Sequence, residues 1–353
     1  MSSSGIEVRD LTLRLGSFAL RAVSLDVAPG EILVLLGANG AGKSVTLETI
    51  AGFHRPLAGH IRIAGRDVTQ LPPEKRRIGF MVQDFGLFPH LSIAANVAIG
   101  QRARGGVAEL QVLMNRLGIA HLAAARPGNL SPGEKQRAAL ARALAGAPDS
   151  FLFDEPFAAL DAVTSEPLRD ELAAFLRRTG VPAVFVTHDR FEAIAIADRV
   201  AVIDSGNIRQ QGPAAEVFAR PASIGIARFL GIENIIEGRI EGPCDGERLR
   251  VAVGDGSLHV ANPDCRLAPA QVVTLCMRAE QVRLLPPQSS PRANLLPARV
   301  VALRRVGPLW KVSLDCSFPL IAYALPQTAR ACGLAPGSAV DAEIDADAIH
   351  VLA

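Results

Sequence analysis

The chain has 353 residues, 49% of them hydrophobic, and a formal net charge of +2 at pH 7. That length allows about two domains, and the near balance of charge gives no argument for nucleic acid or anionic lipid as a partner. No apolar run reaches about 18 residues, so we expect no membrane-spanning helix. We also expect no signal peptide, because the first residues lack its basic and apolar regions. The five cysteines show no CxxC spacing, which favours reduced thiols in a cytoplasmic protein.

A phosphate-binding loop is the first strong motif. A strand-like run over residues 31–36 leads into G-A-N-G-A-G-K-S, residues 37–44, and then into a helical stretch. Glycines in this context let backbone N–H groups surround phosphates at a helix N-terminus. We expect Lys43 to reach the β- and γ-phosphates and the Ser44 hydroxyl to ligate Mg²⁺. The residues predicted to bind the nucleotide here are Gly37, Asn39, Gly40, Gly42, Lys43, Ser44 and Val45.

Residues 101–230 alternate helical segments with apolar strands, which predicts an α/β layer with parallel strands. Ser131, with Glu134 three residues later, predicts a capping box that opens a helix over 134–145. The apolar run 150–154 delivers Asp154 to a metal ion and is followed by Glu155, the natural general base for an attacking water. Adjacent residues point to opposite faces of a regular strand, so these two acids cannot share one role there.

The segment N-L-S-P-G-E-K-Q-R, residues 129–137, resembles the signature motif of ABC ATPases, with Pro132 where that family usually has glycine. Proline suits the first helical position, because its missing N–H has no intrahelical partner there. Three more segments resemble ABC elements: 81–84 the Q-loop, 158–161 the D-loop and 184–189 the switch strand. The resemblance implies that Gln83 senses Mg²⁺ and water, that Asp161 crosses a dimer interface and that His188 contacts the γ-phosphate.

The same resemblance implies an assembly. Two cassettes are expected to close head-to-tail around two ATP molecules, with Ser131, Gly133 and Glu134 reaching the nucleotide of the other subunit. Membrane permease subunits, a periplasmic or extracellular substrate-binding protein and a location at the cytoplasmic face of the inner membrane follow from it. Only Phe18 is aromatic near the place where the family stacks adenine. Residues 85–91 lie where importer cassettes receive a coupling helix, with core packing of Phe85 and Phe88 as the alternative.

After about residue 236 the sequence becomes β-rich, so we predict an ATP-binding domain over 1–235 and a C-terminal all-β, OB-like domain over 236–353. Residues 285–291 read as a connector between two small β units. The run 277–284 resembles the β-barrel (TOBE) appendage of importer ATPases. Residues from about 289 to 353 resemble the oxyanion-binding (Mop) module of molybdate transport proteins, although Arg292-Ala293-Asn294 departs from that module's usual Ser-x-Arg-Asn run.

These resemblances favour an importer ATPase for molybdate or tungstate, with sulfate as a near neighbour and a regulatory oxyanion in the C-terminal domain as a further hypothesis. Import of iron, polyamine or sugar is a competing interpretation. A different class of protein, a soluble ABC ATPase of DNA repair or translation, is a further alternative. That interpretation would call for a coiled-coil insertion or tandem cassettes. A phosphate-loop kinase has no use for the signature, D-loop and switch segments.

Overall fold

The computed structural model describes residues 5–101, 107–158, 160, 162–244, 248–261, 268–287 and 292–352. The chain divides into two compact units, Met1–Val217 and Phe218–Ala353. The division lies earlier than the boundary predicted near residue 235, because Ala227 and Ile232 pack with Cys276 of the second unit. The β-rich texture that suggested the later boundary begins only after this helical segment. Within the described residues, no helix is both long enough and apolar enough to cross a membrane.

In the described part of the first unit, ten strands form two sheets. In chain order they are β1 (Ile6–Leu15), β2 (Phe18–Val27), β3 (Ile32–Leu36), β4 (Ala58–Ile63), β5 (Arg66–Asp67), β6 (Ile78–Met81), β7 (Ser150–Asp154), β8 (Ala183–Thr187), β9 (Arg199–Asp204) and β10 (Asn207–Pro213). One sheet is antiparallel, in the order β2-β1-β4-β5. The other has the order β10-β9-β3-β8-β7-β6 and is parallel except for its edge strand β10.

The central strands of the parallel sheet are buried along their whole length. All residues of β3, β7 and β8 are buried, as expected for strands covered on both faces. The helices, in chain order, are α1 (Lys43–Ala51), α2 (Ile93–Gln101), α3 (Val107–Arg116), α4 (Pro132–Leu144), α5 (Ala162–Thr179), α6 (Arg190–Ile196) and α7 (Ala214–Ala219). This arrangement confirms the predicted α/β layer.

The topology brings several loops to one edge of the parallel sheet. The strands β3, β8, β7 and β6 are neighbours and run in the same direction. Their carboxyl ends therefore lead into the phosphate loop, His188, Asp154 with Glu155, and Gln83, in that order across the sheet. Open α/β sheets bind ligands outside the carboxyl ends of their strands, so this edge is the place to look for a site.

The second unit is predominantly β-structure, as predicted. Its elements are α8 (Ile224–Phe229), β11 (Asn234–Pro243), β12 (Arg248–Val253), β13 (Gly256–Ala261), β14 (Val272–Met277), β15 (Val282–Leu285), β16 (Leu295–Val306), β17 (Leu309–Asp315), β18 (Pro319–Ala324), α9 (Pro326–Ala331), β19 (Ala339–Ile344) and β20 (His350–Leu352). They form two five-stranded sheets, β13-β12-β11-β14-β20 and β15-β19-β16-β17-β18. Buried residues of both sheets belong to one hydrophobic core.

The two sheets of this unit exchange strands, and this corrects the prediction of a separate unit from about residue 289. Strand β15 precedes the predicted connector but pairs with β19, with Val282 opposite Ile344. Strand β20 ends the chain but returns to the first sheet, with Val351 opposite Leu275. Neither half is therefore complete without a strand from the other.

Candidate active site

The phosphate loop follows β3 and turns directly into α1. Gly42 has φ 109, a left-handed conformation that favours glycine, and it stands immediately before the helix. The Lys43 ammonium donates hydrogen bonds to the carbonyl oxygens of Gly37 and Ala38, at 2.8 and 2.9 Å. Burial lowers the pKa of Lys43, while Glu155 and Asp154 act to raise it. The loop thus holds a cation at the positive end of a helix, which is an arrangement that binds phosphate.

A cavity of about 440 Å³ opens beside this loop. Its lining residues are Phe18, Asn39, Gly40, Gly42, Lys43, Ser44, Val45, Gln83 and Glu155. The structure therefore brings most of the predicted nucleotide contacts together with Gln83 and Glu155. Phe18 is among them, and a Cβ added to Gly42 would come within 2.6 Å of its ring. Its ring therefore lies against the start of the phosphate helix, which the sequence alone did not establish.

Asp154 ends β7 beside Ser44 and is suited to hold a cation. Burial raises its pKa to about 6, and a hydrogen bond with Ser44 acts in the opposite direction. Its Oδ1 is buried without a hydrogen-bond partner, and a buried oxygen of this kind calls for one. Among the described residues, no group of three or more His, Cys, Asp or Glu could hold a metal ion. A Mg²⁺ held by one carboxylate, a hydroxyl, waters and substrate phosphates fits these residues.

Glu155 turns out of the strand immediately after Asp154. Its φ of 47 is unusual for a residue other than glycine, and its N–H donates to the carbonyl oxygen of Val186 at 3.0 Å. Because of this change of direction, Asp154 and Glu155 both act on Lys43. In a regular strand, adjacent side chains would point to opposite faces. The Oε1 atom of Glu155 lies 2.9 Å from Nδ1 of His188. The Glu155 side chain is 13% exposed and the His188 side chain 53%.

The predicted capping box is confirmed at the start of α4. Ser131 accepts a hydrogen bond from the Glu134 N–H, and the Glu134 carboxylate accepts from the Ser131 N–H at 2.8 Å. The Ser131 N–H and the Ser131 hydroxyl both donate to the Glu134 carboxylate, and these two bonds lower the pKa of Glu134. Ser131, Gly133 and Glu134 do not line the cavity beside the phosphate loop. Their contact with a nucleotide in another subunit stays a prediction, and Asp161 lies outside the described residues.

The segment after the Q-loop is held from two sides. The Arg142 guanidinium, on α4, donates to the carbonyl oxygens of Gly86 and Phe85. Asn96, on α2, accepts from the Phe88 N–H at 2.7 Å and donates back to the Phe88 carbonyl oxygen at 3.1 Å. Phe88 remains 42% exposed, so it is not a core residue. The contact of residues 85–91 with a coupling helix stays a prediction.

Arg76 supports the phosphate helix from its other end, and the sequence analysis missed it. Arg76 is 1% exposed, and its guanidinium donates to the carbonyl oxygens of Thr49 and Ile50 at the end of α1. Further bonds reach the carbonyl oxygens of Leu71 and Thr69. A cation at a helix C-terminus is favourable, because the last carbonyl groups carry partial negative charge. The triplet Lys75-Arg76-Arg77 gave no signal that its middle residue would be buried.

The fold and this edge define a phosphate-loop nucleoside triphosphatase. Residues 20–158 match the family model described as ABC transporter. The sulfate/thiosulfate import ATP-binding protein CysA 2 of Chromobacterium violaceum is 38% identical, over 98% of this chain and 94% of its own length. The molybdate/tungstate import ATP-binding protein WtpC of Pyrococcus horikoshii is 35% identical, over 98% of this chain and 99% of its own. The chain belongs to the ABC transporter ATP-binding family, as an importer subunit that binds ATP and couples its hydrolysis to transport.

Two further comparisons delimit the likeness. The spermidine/putrescine import ATP-binding protein PotA of Thermobifida fusca is 36% identical, over 75% of this chain and 70% of its own length. A bacterial ABC transporter cassette solved as a dimer is 28% identical with a TM-score of 0.55, over 59% of this chain and 98% of its own. The similarity to that structure is confined to about the length of one cassette, whereas CysA 2 and WtpC match almost the whole chain.

Proposed function

We propose that this chain energises the uptake of an oxyanion, with molybdate or tungstate as cargo. The observation that carries the proposal is the extent of the likeness. Two relatives that match nearly the whole chain are named for sulfate/thiosulfate and for molybdate/tungstate, and these anions are tetrahedral oxyanions or close analogues of one. The polyamine protein matches a shorter part of the chain. Sulfate is the second candidate, because its relative is similar over the same extent.

The site supports a direct attack of water on the γ-phosphate. Lys43 and the phosphate-loop amides hold the β- and γ-phosphates, and Phe18 packs against the adenine. The Glu155 carboxylate accepts a proton as the water oxygen bonds to the γ-phosphorus and the bond to the β-phosphate oxygen breaks. His188 orients Glu155, to which it is hydrogen-bonded, and contacts the γ-phosphate. Gln83 lines the same cavity and places the water.

Ser44 and Asp154 would hold the magnesium ion. When bound, Mg²⁺ neutralises charge on the phosphate oxygens. Ser131, Gly133 and Glu134 lie outside the cavity, and a head-to-tail dimer supplies them from the second copy. The dimeric cassette of similar fold supports this assembly. Permease subunits receive the segment around Phe88, so the chain lies at the cytoplasmic face of the inner membrane.

The hydrolytic mechanism is tested with Glu155→Gln, which keeps the size and a hydrogen-bonding group but removes the base. We expect unchanged ATP binding and a turnover lower by about 10² to 10⁴-fold, the range for loss of a general base. Size-exclusion chromatography in ATP and Mg²⁺ should show a dimer of this variant. Glu166→Gln, at an exposed position on α5, is the matched control and should hydrolyse ATP like the parent. Near-parental turnover of Glu155→Gln would remove Glu155 as the base.

The cargo is tested in cells that lack the gene for this chain. Uptake of labelled molybdate should fall and should return with the parent gene but not with Glu155→Gln. Uptake of labelled sulfate and of labelled spermidine is measured in the same strains. Loss of sulfate uptake alone would assign the second candidate, and loss of spermidine uptake alone would exclude oxyanion transport.

A regulatory oxyanion in the second unit is not part of this proposal, because the described pocket there does not suit an anion. The pocket, of about 490 Å³, is lined by two arginines, Arg248 and Arg283, but also by Glu280, Glu343 and Asp345. The Asn294 amide also lines it but is engaged with both backbone groups of His259. Titration calorimetry of the full chain with molybdate checks this inference, and heat that is lost in Arg283→Ala would contradict it.

A further inference from the structure

Side-chain hydrogen bonds that play no part in the proposed hydrolysis mechanism cross-link the turn that carries His188. His188 stands between the end of β8 at Thr187 and the start of α6 at Arg190. The Thr187 hydroxyl accepts a hydrogen bond from the Asp189 N–H at 3.0 Å. The same hydroxyl donates to Oε2 of Glu192 at 2.7 Å, and Glu192 lies in the first turn of the helix. The hydroxyl of Thr187, which precedes His188, is therefore bonded to Asp189, which follows it. The Glu192 carboxylate fixes the orientation of that hydroxyl.

The exposure of His188 makes this turn important. With 53% of its side chain exposed, the ring is not held by packing, and its position depends on the turn and on the bond to Glu155. Thr187, in contrast, is 3% exposed. Asp189 caps α6 by accepting from the Phe191 N–H at 2.7 Å, so the helix itself is secured without Glu192. The bond from Glu192 to Thr187 thus acts on the turn and is not needed to start the helix.

The Glu192 carboxyl group does not lie in the surroundings of an ordinary charged group at the protein surface. Burial is the main cause that raises its pKa, and the neighbouring Asp189 acts in the same direction. Arg169, on α5, and His188 act in the opposite direction. Placing a carboxyl group in such surroundings costs free energy unless its hydrogen bonds are satisfied. The Thr187 hydroxyl supplies one of these hydrogen bonds, to Oε2 of Glu192.

We propose that Glu192 is a positioning residue for ATP hydrolysis, which holds the switch histidine His188 through the hydroxyl of Thr187. This inference rests on the proposed role of His188 at the γ-phosphate. Glu192 itself does not touch the nucleotide. Its loss lets the turn relax and misplaces His188 relative to Glu155, and a displacement of about 1 Å in such a group can cost about 10²-fold in rate.

The test is a double-mutant cycle on the full-length chain, with ATPase kinetics and ATP binding measured for each variant. Glu192→Ala should lower kcat by about 10-fold and leave the KM for ATP within about twofold, because the lost interaction matters in the transition state. Glu192→Gln keeps an oxygen acceptor and should restore most of that loss. Thr187→Val removes the hydroxyl at constant shape. The double variant should be no slower than Thr187→Val alone, since both changes break one connection.

Glu166→Ala is the control, because it removes an exposed acid on α5, and it should show the parent's kcat. Thr187→Ser keeps the hydroxyl and should lose less kcat than Thr187→Val. Additive losses in the double variant, or a Glu192→Ala variant with parental kcat, would overturn the proposal. If Glu192→Ala fails to fold, Glu192→Gln compared with Thr187→Val still decides it, because equal losses in the two would contradict rescue by the amide. His188→Ala distinguishes a failure of the role proposed for Glu192 from a failure of the role proposed for His188. Parental turnover in His188→Ala would refute the role of His188 itself.

Discussion

Replacing Arg76 by methionine tests how the phosphate helix is supported. The guanidinium donates to four carbonyl oxygens, those of Leu71, Thr49, Ile50 and Thr69, at 2.7 to 2.9 Å. In Arg76→Met, the Thr49 oxygen keeps a donor in the Gly52 N–H, at 3.2 Å. The other three carbonyl oxygens lose the guanidinium donor. Methionine fills a similar volume, so the effect reports on hydrogen bonding more than on packing.

The magnitude follows from two opposing effects. A buried carbonyl left without a donor costs about 2 kcal/mol, so three of them cost about 6 kcal/mol. Burial lowers the pKa of Arg76 from its usual value to about 10, and relief of that unfavourable burial returns about 3 kcal/mol. We therefore expect Arg76→Met to lower the free energy of unfolding by about 3 kcal/mol. For a unit of this size, that is a fall of about 10 °C in Tm.

Thermal and urea unfolding followed by circular dichroism measure this loss, and ATP titration measures its functional consequence. The supported helix begins with Lys43, so weaker ATP binding should accompany the lower stability. Arg55→Met changes an exposed arginine close to the same helix and is the matched control, for which we expect a change within about 0.5 kcal/mol. A loss no larger than that in Arg76→Met would refute the reasoning, because the carbonyl groups would then have found other donors.

Two other predictions concern the site around the phosphate loop. In the metal-free chain, burial raises the pKa of Asp154 from 3.8 to about 6, so the folded state holds the proton more tightly and stability falls as pH rises between those values. The free energy of unfolding of Asp154→Asn, measured in urea with EDTA at about pH 8, should therefore rise by up to about 3 kcal/mol. The same variant should lose Mg²⁺-dependent ATPase activity. A lower free energy of unfolding at that pH would contradict the raised pKa of Asp154. Phe18→Ala should weaken ATP binding by about 10-fold, with Phe18→Trp restoring it, if the ring stacks on adenine; an unchanged Kd in Phe18→Ala would exclude stacking.

The predictions that matched the structure rest on contiguous segments. The phosphate loop, the capping box of Ser131 and Glu134, and the buried strands over 150–154 and 183–187 are each encoded within a few neighbouring residues. Glu155 illustrates the limit of such reasoning. The alternation of a strand predicts that it faces away from Asp154, and its left-handed conformation changes that direction. The pattern of residues along the chain does not predict the φ angle of Glu155, which the hydrogen bond to Val186 holds.

Arg76 and the second unit show why longer-range features were missed. Nothing local distinguishes Arg76 from Lys75 and Arg77, because its partners on α1 lie more than twenty residues earlier in the chain. In the second unit, the proline-rich segment near residue 288 predicts a break between two strands, but a break does not determine which sheet each strand joins. The partner of β15 arrives after four intervening elements, and β20 pairs with a strand from before the connector.

The exchange of β15 and β20 also limits how the second unit can be divided. A truncation near residue 288 would remove β20 from the first sheet and leave the second sheet without β15. Each remaining sheet would expose an edge whose N–H and C=O groups had lost their partners. Buried residues of the two sheets form a single core, so the cut would also expose apolar surface on both fragments. Any regulatory role of this unit must therefore be sought with residues 218–353 intact, since neither half is an independent folding unit.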